Sequence, residues 1–186
     1  MKGEVTKSVD ILNKKGLILY PTDTVWGIGC DATNEKAVDK IFKLKQRAES
    51  KSLIILVADI EMLQKYIPVI SKNVLEILKN TKNPTSIIYN NPIGLAKNVV
   101  ANDNTVAIRI PQNDFCINLI RQFGKPIVST SANISGKPTP KCFEQIERPI
   151  LDSVDYIVNL HREEICSKSS TILKIDENGE ISVLRK

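Results

Sequence analysis

The chain has 186 residues, of which 42% are hydrophobic and 25% are charged, values close to the averages for soluble globular proteins that give no indication of disorder. A net charge of +5 and a pI of about 9.0 permit a nucleic-acid partner or a phosphate-rich ligand, but a lysine-rich solvated surface accounts for them equally well. The four cysteines form no CxxC pair and no apolar run exceeds six residues. These features exclude the common zinc signatures and a membrane span, and they favour a cytoplasmic protein with reduced thiols.

In the first half of the chain, apolar residues at helical spacing alternate with short apolar runs of strand length. Val5 and Leu12 share one helical face, and Asn34 is placed to cap a second helix. Between them, residues 17–20 predict a strand, and residues 21–31, which contain two glycines, predict a loop. The elements predicted next are a strand at residues 52–57 and helices at residues 59–66 and 71–80.

The second half continues this alternation and ends in a hairpin signal. Asp114 is the predicted N-cap of a helix that Gly124 closes, and Asn178-Gly179 is typical of a tight turn between two strands. Strands are predicted at residues 86–89, 105–110, 126–130, 155–158, 170–175 and 181–184. The elements predict one α/β domain, residues 1–186, built on a mixed sheet.

Polar segments adjoin several of the predicted strands, at positions where α/β proteins commonly bind ligands. The first, residues 20–31, places Thr22 and Thr24 on either side of Asp23. The glycines that follow would let backbone N–H groups approach a ligand. An ordinary turn uses the same residue types, so both interpretations stay open.

The second polar segment, residues 43–53, is basic. Arginine binds phosphate or carboxylate through paired hydrogen bonds, and lysine binds them as a point charge. A cationic pocket wall is therefore one interpretation, and solubility combined with a favourable helix-dipole interaction is the other. The cations of this segment are Lys43, Lys45, Arg47 and Lys51.

Two further polar features lie on or after strands. Arg109 stands inside an otherwise apolar strand, where a charge is costly unless it is paired. A salt bridge at the edge of the core and an anion-binding role both meet that requirement. Residues 129–140 combine hydroxyls, an asparagine and two prolines, which favours a rigid ligand-contacting loop over a plain turn.

Several kinds of catalytic machinery are missing from the sequence. His161 is the only histidine, and no serine or cysteine nucleophile motif accompanies it, which disfavours a catalytic triad. We expect His161 to be an ordinary surface or loop residue. No GxxxxGK[ST] or GxGxxG pattern is present, so neither a P-loop nor a dinucleotide fingerprint is indicated.

The polar segments, in this order, resemble the YrdC/Sua5 family, the threonylcarbamoyl-AMP synthases. The matching motifs are P-T-D-T-V-W-G-I-G at residues 21–29, K-Q-R-x-x-x-K-x-L at residues 45–53, V-A-I-R-I-P at residues 106–111, S-A-N-I-S-G-K-P-T-P at residues 131–140, S-S-T-I-L at residues 169–173 and V-L-R at residues 183–185. The similarity runs from about residue 5 to the end. It implies a twisted mixed sheet flanked by helices (YrdC/RibB-like), of the short type without the additional C-terminal domain of Sua5.

The resemblance also implies an activity. The amine of L-threonine adds to CO2 or bicarbonate, and the resulting carbamate attacks the α-phosphorus of ATP, releasing pyrophosphate and forming threonylcarbamoyl-AMP. Mg²⁺ is expected to accompany ATP, with no metal site on the protein. Partner transferase proteins then modify adenosine 37 of tRNAs that read ANN codons. Because the nucleophile comes from the substrates, the missing histidine and cysteine machinery agrees with this chemistry.

Site residues follow by the same resemblance. Contacts to L-threonine are implied for Thr24, Leu56 (through its backbone), Arg109, Ser131 and Ser170. Contacts to ATP are implied for Arg47, Lys51, Thr105, Asn133, Lys141 and Arg185. A catalytic basic wall is implied for Lys45, Arg47 and Lys51.

The sequence departs from the family in its basic segment, where Ala48 and Ser52 replace two common prolines and leave the geometry of that segment open. An alternative function is an RNA-binding module without adenylate chemistry. Neutral contacts from Thr24 and Asn133 distinguish the two, because binding of an RNA backbone does not require them. A YrdC-like domain of a hydrogenase maturation protein is disfavoured, since zinc-finger and acylphosphatase segments are absent from the sequence.

Overall fold

The computed structural model describes residues 1–46, 53–166, 169–176 and 180–185. The helices are α1 (Lys2–Asn13), α2 (Glu35–Lys45), α3 (Ile60–Tyr66), α4 (Lys72–Asn80), α5 (Asp114–Phe123) and α6 (Arg148–Leu151). The strands are β1 (Ile18–Tyr20), β2 (Gly27–Gly29), β3 (Ile54–Leu56), β4 (Thr85–Asn90), β5 (Thr105–Arg109), β6 (Ile127–Ser131), β7 (Tyr156–Ile157), β8 (Thr171–Ile175) and β9 (Ile181–Arg185). Within the described ranges, no helix is long and apolar enough to cross a membrane.

The strands form one mixed sheet in the order β7-β1-β2-β6-β3-β5-β4-β8-β9. Strands β1 and β7, β3 and β5, and β4 and β8 pair in parallel, whereas β2 and β6, β3 and β6, and β4 and β5 pair antiparallel. Strands β8 and β9 pair antiparallel, which confirms the predicted hairpin; its predicted turn, Asn178-Gly179, lies outside the described residues. The mixed sheet follows the prediction, and its strand order is new information.

Helices α2, α3 and α4 cover one face of the sheet. The apolar side chains of their inner faces join strand residues from the centre of the sheet in a single buried cluster. Because side chains alternate along a strand, each central strand contributes every second residue to this face. The strand residues buried here include Ile28, Ile55, Val106, Ile108 and Val128.

Helices α1 and α5 cover only part of the opposite face. They pack on each other and bury Ile18, Tyr20, Leu56 and Ile127 beneath them. Farther along this face, none of the described helices packs its apolar residues on β5, β4 or β8. Polar and small side chains of this part of the face, such as Ser86 and Arg109, are nonetheless buried, and a cavity forms over them and their neighbours.

The predicted loop at residues 21–31 is wrong in one respect, because it contains strand β2. This strand pairs with β1 on one side and with β6 on the other. A Cβ added at Gly29 would lie 2.7 Å from Tyr20 Cε1 and 2.8 Å from the Val128 carbonyl oxygen. Close packing thus requires glycine at this position. A Gly-Ile-Gly run carries no strand pattern, so only its neighbours in the sheet establish the strand.

The helix caps follow the sequence with one correction. The Asn34 side chain caps α2 by accepting a hydrogen bond from Ala37 N at 3.1 Å, as predicted, and Gly124 closes α5 in the left-handed conformation. The cap of α5, however, is Asn113 and not Asp114. Asn113 Oδ1 accepts from Cys116 N at 3.0 Å, and Asp114 is the first residue inside the helix.

The corrected cap makes a testable distinction. Replacing Asn113 with Ala removes the bond to the Cys116 N–H and should lower the free energy of unfolding by about 1 kcal/mol. Replacing Asp114 with Ala removes only an exposed helix-dipole charge and should cost about 0.5 kcal/mol or less. Urea denaturation of both variants measures the difference. A larger loss for Asp114→Ala than for Asn113→Ala would contradict the assignment.

Candidate functional site

A cavity of about 500 Å³ lies over the part of the sheet face that α1 and α5 leave open. Its floor is apolar, with Ile54, Ile88 and Ala107 from three neighbouring strands. Hydroxyl groups and cations surround this floor. Six of the side chains predicted from the sequence line the cavity: Thr24, Arg109, Ser131, Lys141, Ser170 and Arg185.

Arg109, at the end of β5, is 3% exposed and has partners from the segment after β1. Its Nη2 lies 3.2 Å from Asp23 Oδ1, and its Nη1 and Nη2 lie 3.3 and 3.4 Å from Thr24 Oγ1. Asp23 Oδ2 in turn accepts from the Gln112 N–H at 2.9 Å. Arg109 is therefore ion-paired, in agreement with one of the two interpretations of its place in an apolar strand. It also borders the cavity, so the other interpretation, anion binding, stays open.

Ser170 and Arg185 also line the cavity and contact each other. Arg185 Nε and Nη2 donate to the Ser170 carbonyl oxygen at 3.1 and 2.8 Å, and Nη2 also lies 3.2 Å from Ser170 Oγ. The Ser86 and Ser170 hydroxyls are 3.0 Å apart. Ser86 is the register partner of Arg109 on the neighbouring strand. The β8–β9 hairpin therefore brings a second cation and a serine close to the guanidinium of Arg109.

Lys45 lies behind the cavity wall and not on it. It is 1% exposed, and its ammonium donates to the carbonyl oxygens of Ser131 and of Asn133, the latter at 2.6 Å. Lys45 is not among the described residues that line the cavity. Its predicted place on a basic wall with Arg47 and Lys51 stays a prediction, because those two residues lie outside the described residues. Two partly buried carbonyl groups hold its charge on the inner side of the cavity wall. Lys45 therefore fixes the backbone of the segment that carries Ser131 into the cavity.

The remaining predicted residues lie away from the lining. Leu56 is fully buried under α1 and α5. Asn133 Nδ2 donates to the carbonyl oxygens of Ile134 and Lys137, at 3.0 and 2.8 Å. Thr105 shares the cavity face of β5 but lies farther along the strand, and its hydroxyl donates to Asp103 at 2.7 Å. Two predicted phosphate contacts lie outside the described residues: Arg47 and Lys51.

Sequence reasoning missed several hydroxyls of the lining. Ser129 stands two residues before Ser131 on β6, so strand periodicity alone could have added it. Thr22 was noted in its segment but not assigned to the site, because its position depends on side-chain hydrogen bonds. Ser169 precedes the predicted Ser170 and also borders the cavity.

No strong nucleophile is presented to this cavity by the described residues. Cys166 borders it, but burial raises the pKa of its thiol, with a further contribution from Glu164. The thiol is therefore neutral and weakly reactive. All four cysteines are free thiols, and His161 is an exposed loop residue beside Glu164, as predicted. The arrangement is suited to binding and orienting a ligand.

These observations define an α/β protein whose sheet face carries a hydroxyl-lined, cationic ligand site. The chain belongs to the Sua5/YciO/YrdC family, since the family model described as "Telomere recombination" matches residues 10–186. A putative threonylcarbamoyl-AMP synthase of Methanocaldococcus jannaschii is 37% identical over 177 residues, covering 94% of this chain and 81% of that protein. The threonylcarbamoyl-AMP synthase of Escherichia coli (strain K12) is 31% identical over 145 residues, covering 76% of each.

Solved structures support the fold. A structure of P. abyssi Sua5 superimposes with a TM-score of 0.91 at 26% identity and covers the whole of this chain. Another, of P. abyssi Sua5 complexed with L-threonine, gives 0.87 at 25% identity. The chain spans 56% and 54% of those two proteins, about half their length. E. coli YciO, at 23% identity, shares the fold with a TM-score of 0.86. The twisted mixed sheet flanked by helices is thus confirmed.

The buried position of Lys45 leads to a stability prediction. Replacing Lys45 with Met leaves the Ser131 and Asn133 carbonyl groups without their charged donor, and should lower the free energy of unfolding by about 2–4 kcal/mol. Lys43 lies on the same helix and is exposed, so Lys43→Met should change stability by about 0.5 kcal/mol at most. Chemical denaturation measures both. Equal stability of the two variants would contradict a structural role for Lys45.

Proposed function

We propose that this chain is a threonylcarbamoyl-AMP synthase, a nucleotidyltransferase that converts L-threonine, bicarbonate and ATP into threonylcarbamoyl-AMP, pyrophosphate and water. The observation that carries the proposal is the cavity, in which four of the five predicted threonine contacts meet two of the predicted nucleotide-contacting cations. Membership of the family and the names of the relatives support it. So does the structure of P. abyssi Sua5 complexed with L-threonine.

The chemistry requires positioning more than reactive side chains. Bicarbonate takes up a proton and loses water to give CO2. The threonine amine then attacks CO2 and loses a proton, which gives a carbamate. One carbamate oxygen then attacks the α-phosphorus of ATP, and the bond to the departing pyrophosphate breaks. Both partners are anionic, so the protein must hold them close together and stabilise the charge on the transferring phosphoryl group. A cavity with cations, hydroxyl groups and no carboxylate among its described lining residues suits that task.

In the proposed complex, the Arg109 guanidinium binds the carboxylate of L-threonine. Arginine matches a carboxylate with two parallel hydrogen bonds, which fixes its orientation as well as its charge. Thr24, Ser131 and Ser170 provide neutral contacts to the rest of the amino acid. The apolar floor beneath them accommodates the methyl group of threonine.

The nucleotide lies on the side of Lys141 and Arg185. Arg47 and Lys51 are the proposed phosphate contacts of the basic segment, following the family motif. Thr105 lies on the same sheet face beyond the cavity, where the nucleotide extends past the threonine site. Asn133 and Lys45 act on the segment of residues 131–135, which Lys45 holds through its ammonium.

The described residues present no ligand set for Mg²⁺. Hard divalent cations prefer carboxylate and carbonyl oxygens, and the described lining includes no carboxylate. No group of three potential acidic, histidine or cysteine ligands occurs among the described residues either. The described side chains do not fit a protein-held magnesium ion. We therefore propose that Mg²⁺ accompanies the phosphates of ATP, and we assign no step to it.

The product determines the proposed partners. Threonylcarbamoyl-AMP is a mixed anhydride whose carbonyl carbon is open to attack by an amine. Transferase proteins that deliver it to adenosine 37 of ANN-decoding tRNAs are therefore the proposed consumers. Any direct contact of this chain with tRNA would be favoured by its net charge of +5 and would weaken as the salt concentration rises.

Substrate omission tests the proposal. Pyrophosphate release from ATP should require both L-threonine and bicarbonate, because the carbamate is the attacking group. A coupled pyrophosphate assay with purified protein and Mg²⁺ measures this, and label from bicarbonate should appear in an adenylate. Pyrophosphate output that is unchanged without threonine would contradict the proposal. Salt-sensitive RNA retention without pyrophosphate release would favour the RNA-binding module instead.

The carboxylate contact has its own test. Arg109→Lys keeps the charge but loses the paired hydrogen-bond geometry, so the KM for L-threonine should rise by between about tenfold and a hundredfold. Arg121→Lys, on the exposed side of α5, is the matched control and should leave KM within about twofold. Steady-state kinetics with varied threonine measures both. An unchanged threonine KM for Arg109→Lys would contradict the contact.

A further inference from the structure

We propose that Thr22 is a positioning residue for L-threonine binding, and that it acts on Arg109 through the hydroxyl of Thr24. The proposal rests on the function proposed above, in which Arg109 binds the threonine carboxylate. The sequence motifs assign Thr24 and Arg109 to the ligand but leave Thr22 without a role. Thr22 is 5% exposed, and its hydroxyl makes three contacts within a segment of four residues.

Counting hydrogen atoms gives these contacts a direction. Thr22 Oγ1 lies 2.7 Å from the Val25 carbonyl oxygen, and a carbonyl group can only accept, so the single hydroxyl hydrogen of Thr22 goes to Val25. The backbone N–H of Thr24 donates to Thr22 Oγ1 at 3.0 Å. In the 2.9 Å contact between the two hydroxyls, Thr24 must therefore be the donor.

This direction determines what Thr24 presents to Arg109. Because the only hydroxyl hydrogen of Thr24 points at Thr22, its lone pairs are left to accept from Arg109 Nη1 and Nη2 at 3.3 and 3.4 Å. Without an acceptor at Thr22, the Thr24 hydroxyl could rotate and turn its hydrogen toward the guanidinium. The Thr24 O–H and the Arg109 N–H groups would then face each other as two donors in a buried environment, and the orientation of Arg109 would change.

The guanidinium is also held by charge. Asp23 Oδ1 lies 3.2 Å from Nη2, yet neither Asp23 Oδ1 nor Arg109 Nε has an aligned hydrogen-bond partner among the described residues. The ion pair therefore attracts Arg109 without fixing its angle, and the directional contact comes from Thr24. Thr22 thus sets the angle at which Arg109 meets a carboxylate, although Thr22 contacts Arg109 only through Thr24.

Two substitutions separate the hydroxyl of Thr22 from its shape. Thr22→Val keeps the branched side chain, whose methyl carbon lies close to Gly27, and removes the hydroxyl. Thr22→Ser keeps the hydroxyl and removes the methyl group. Calorimetric titration of L-threonine and of L-threoninamide, which lacks the carboxylate, measures affinity for each variant and for the wild type. Kinetics with varied ATP gives the nucleotide KM.

We expect Thr22→Val to bind L-threonine about fivefold to tenfold more weakly than wild type, as for the loss of one positioned hydrogen bond. Its affinity for the amide and its KM for ATP should stay within about twofold, because neither depends on the carboxylate contact. Thr22→Ser should behave like wild type. The preference for acid over amide is thus the readout that general loosening of the segment would not change.

Three outcomes would overturn the inference. A Thr22→Val variant that retains the full preference for L-threonine over its amide would show that the hydroxyl does not act on Arg109. Equal losses in Thr22→Val and Thr22→Ser would make side-chain packing the cause. Failure of the wild-type protein to bind L-threonine at all would overturn the proposed function, and the positioning role with it.

Discussion

The buried guanidinium of Arg109 determines how the site is built. A charge this far from solvent is costly unless counter-charges and hydrogen bonds surround it. Asp23 and Thr24 meet that requirement from the segment after β1, and the Gln112 N–H holds Asp23 from the segment after β5. Two parts of the chain that are distant in sequence are thereby fixed against each other. One wall of the cavity results directly from this pairing.

The uneven cover of the sheet accounts for the rest of the cavity. Helices α2, α3 and α4 cover one face of the sheet, and α1 and α5 cover part of the other. The buried cluster under α1 and α5 does not extend to β5, β4 and β8. Strand residues that would otherwise need apolar cover can then be small or hydroxylated, as at Ser86, Ala107 and Ser129. An apolar floor with polar walls suits a ligand that is charged at its ends and apolar in between. The site is therefore a consequence of where two helices stop.

Local signals in the sequence predicted much of this fold. Contacts between residues that are distant in the sequence could not be predicted from it. The cap at Asn34 was predictable because capping involves residues only three apart. Strand β2 was not, because glycines that tolerate close neighbours look the same as glycines in a loop. Arg109 stood out as a charge in an apolar strand, whereas Thr22 and Lys45 depend on which atoms face them across the fold. Residue types therefore indicated the chemistry of the site. Only the structure distinguishes the side chains that line the cavity from those that hold the lining in place.

The end of α2 is anchored twice to the segment after β6. The ammonium of Lys45 holds the carbonyl groups of Ser131 and Asn133, and its own carbonyl oxygen accepts from the Ser135 N–H at 2.8 Å. Gln46 follows in the left-handed conformation, with φ of 49°. The chain thus leaves the helix at a fixed pivot, one residue before Arg47. The same hydrogen bonds thus fix the position of residues 131–135 and the direction in which the chain leaves α2, so the two segments proposed to contact the nucleotide are held relative to each other.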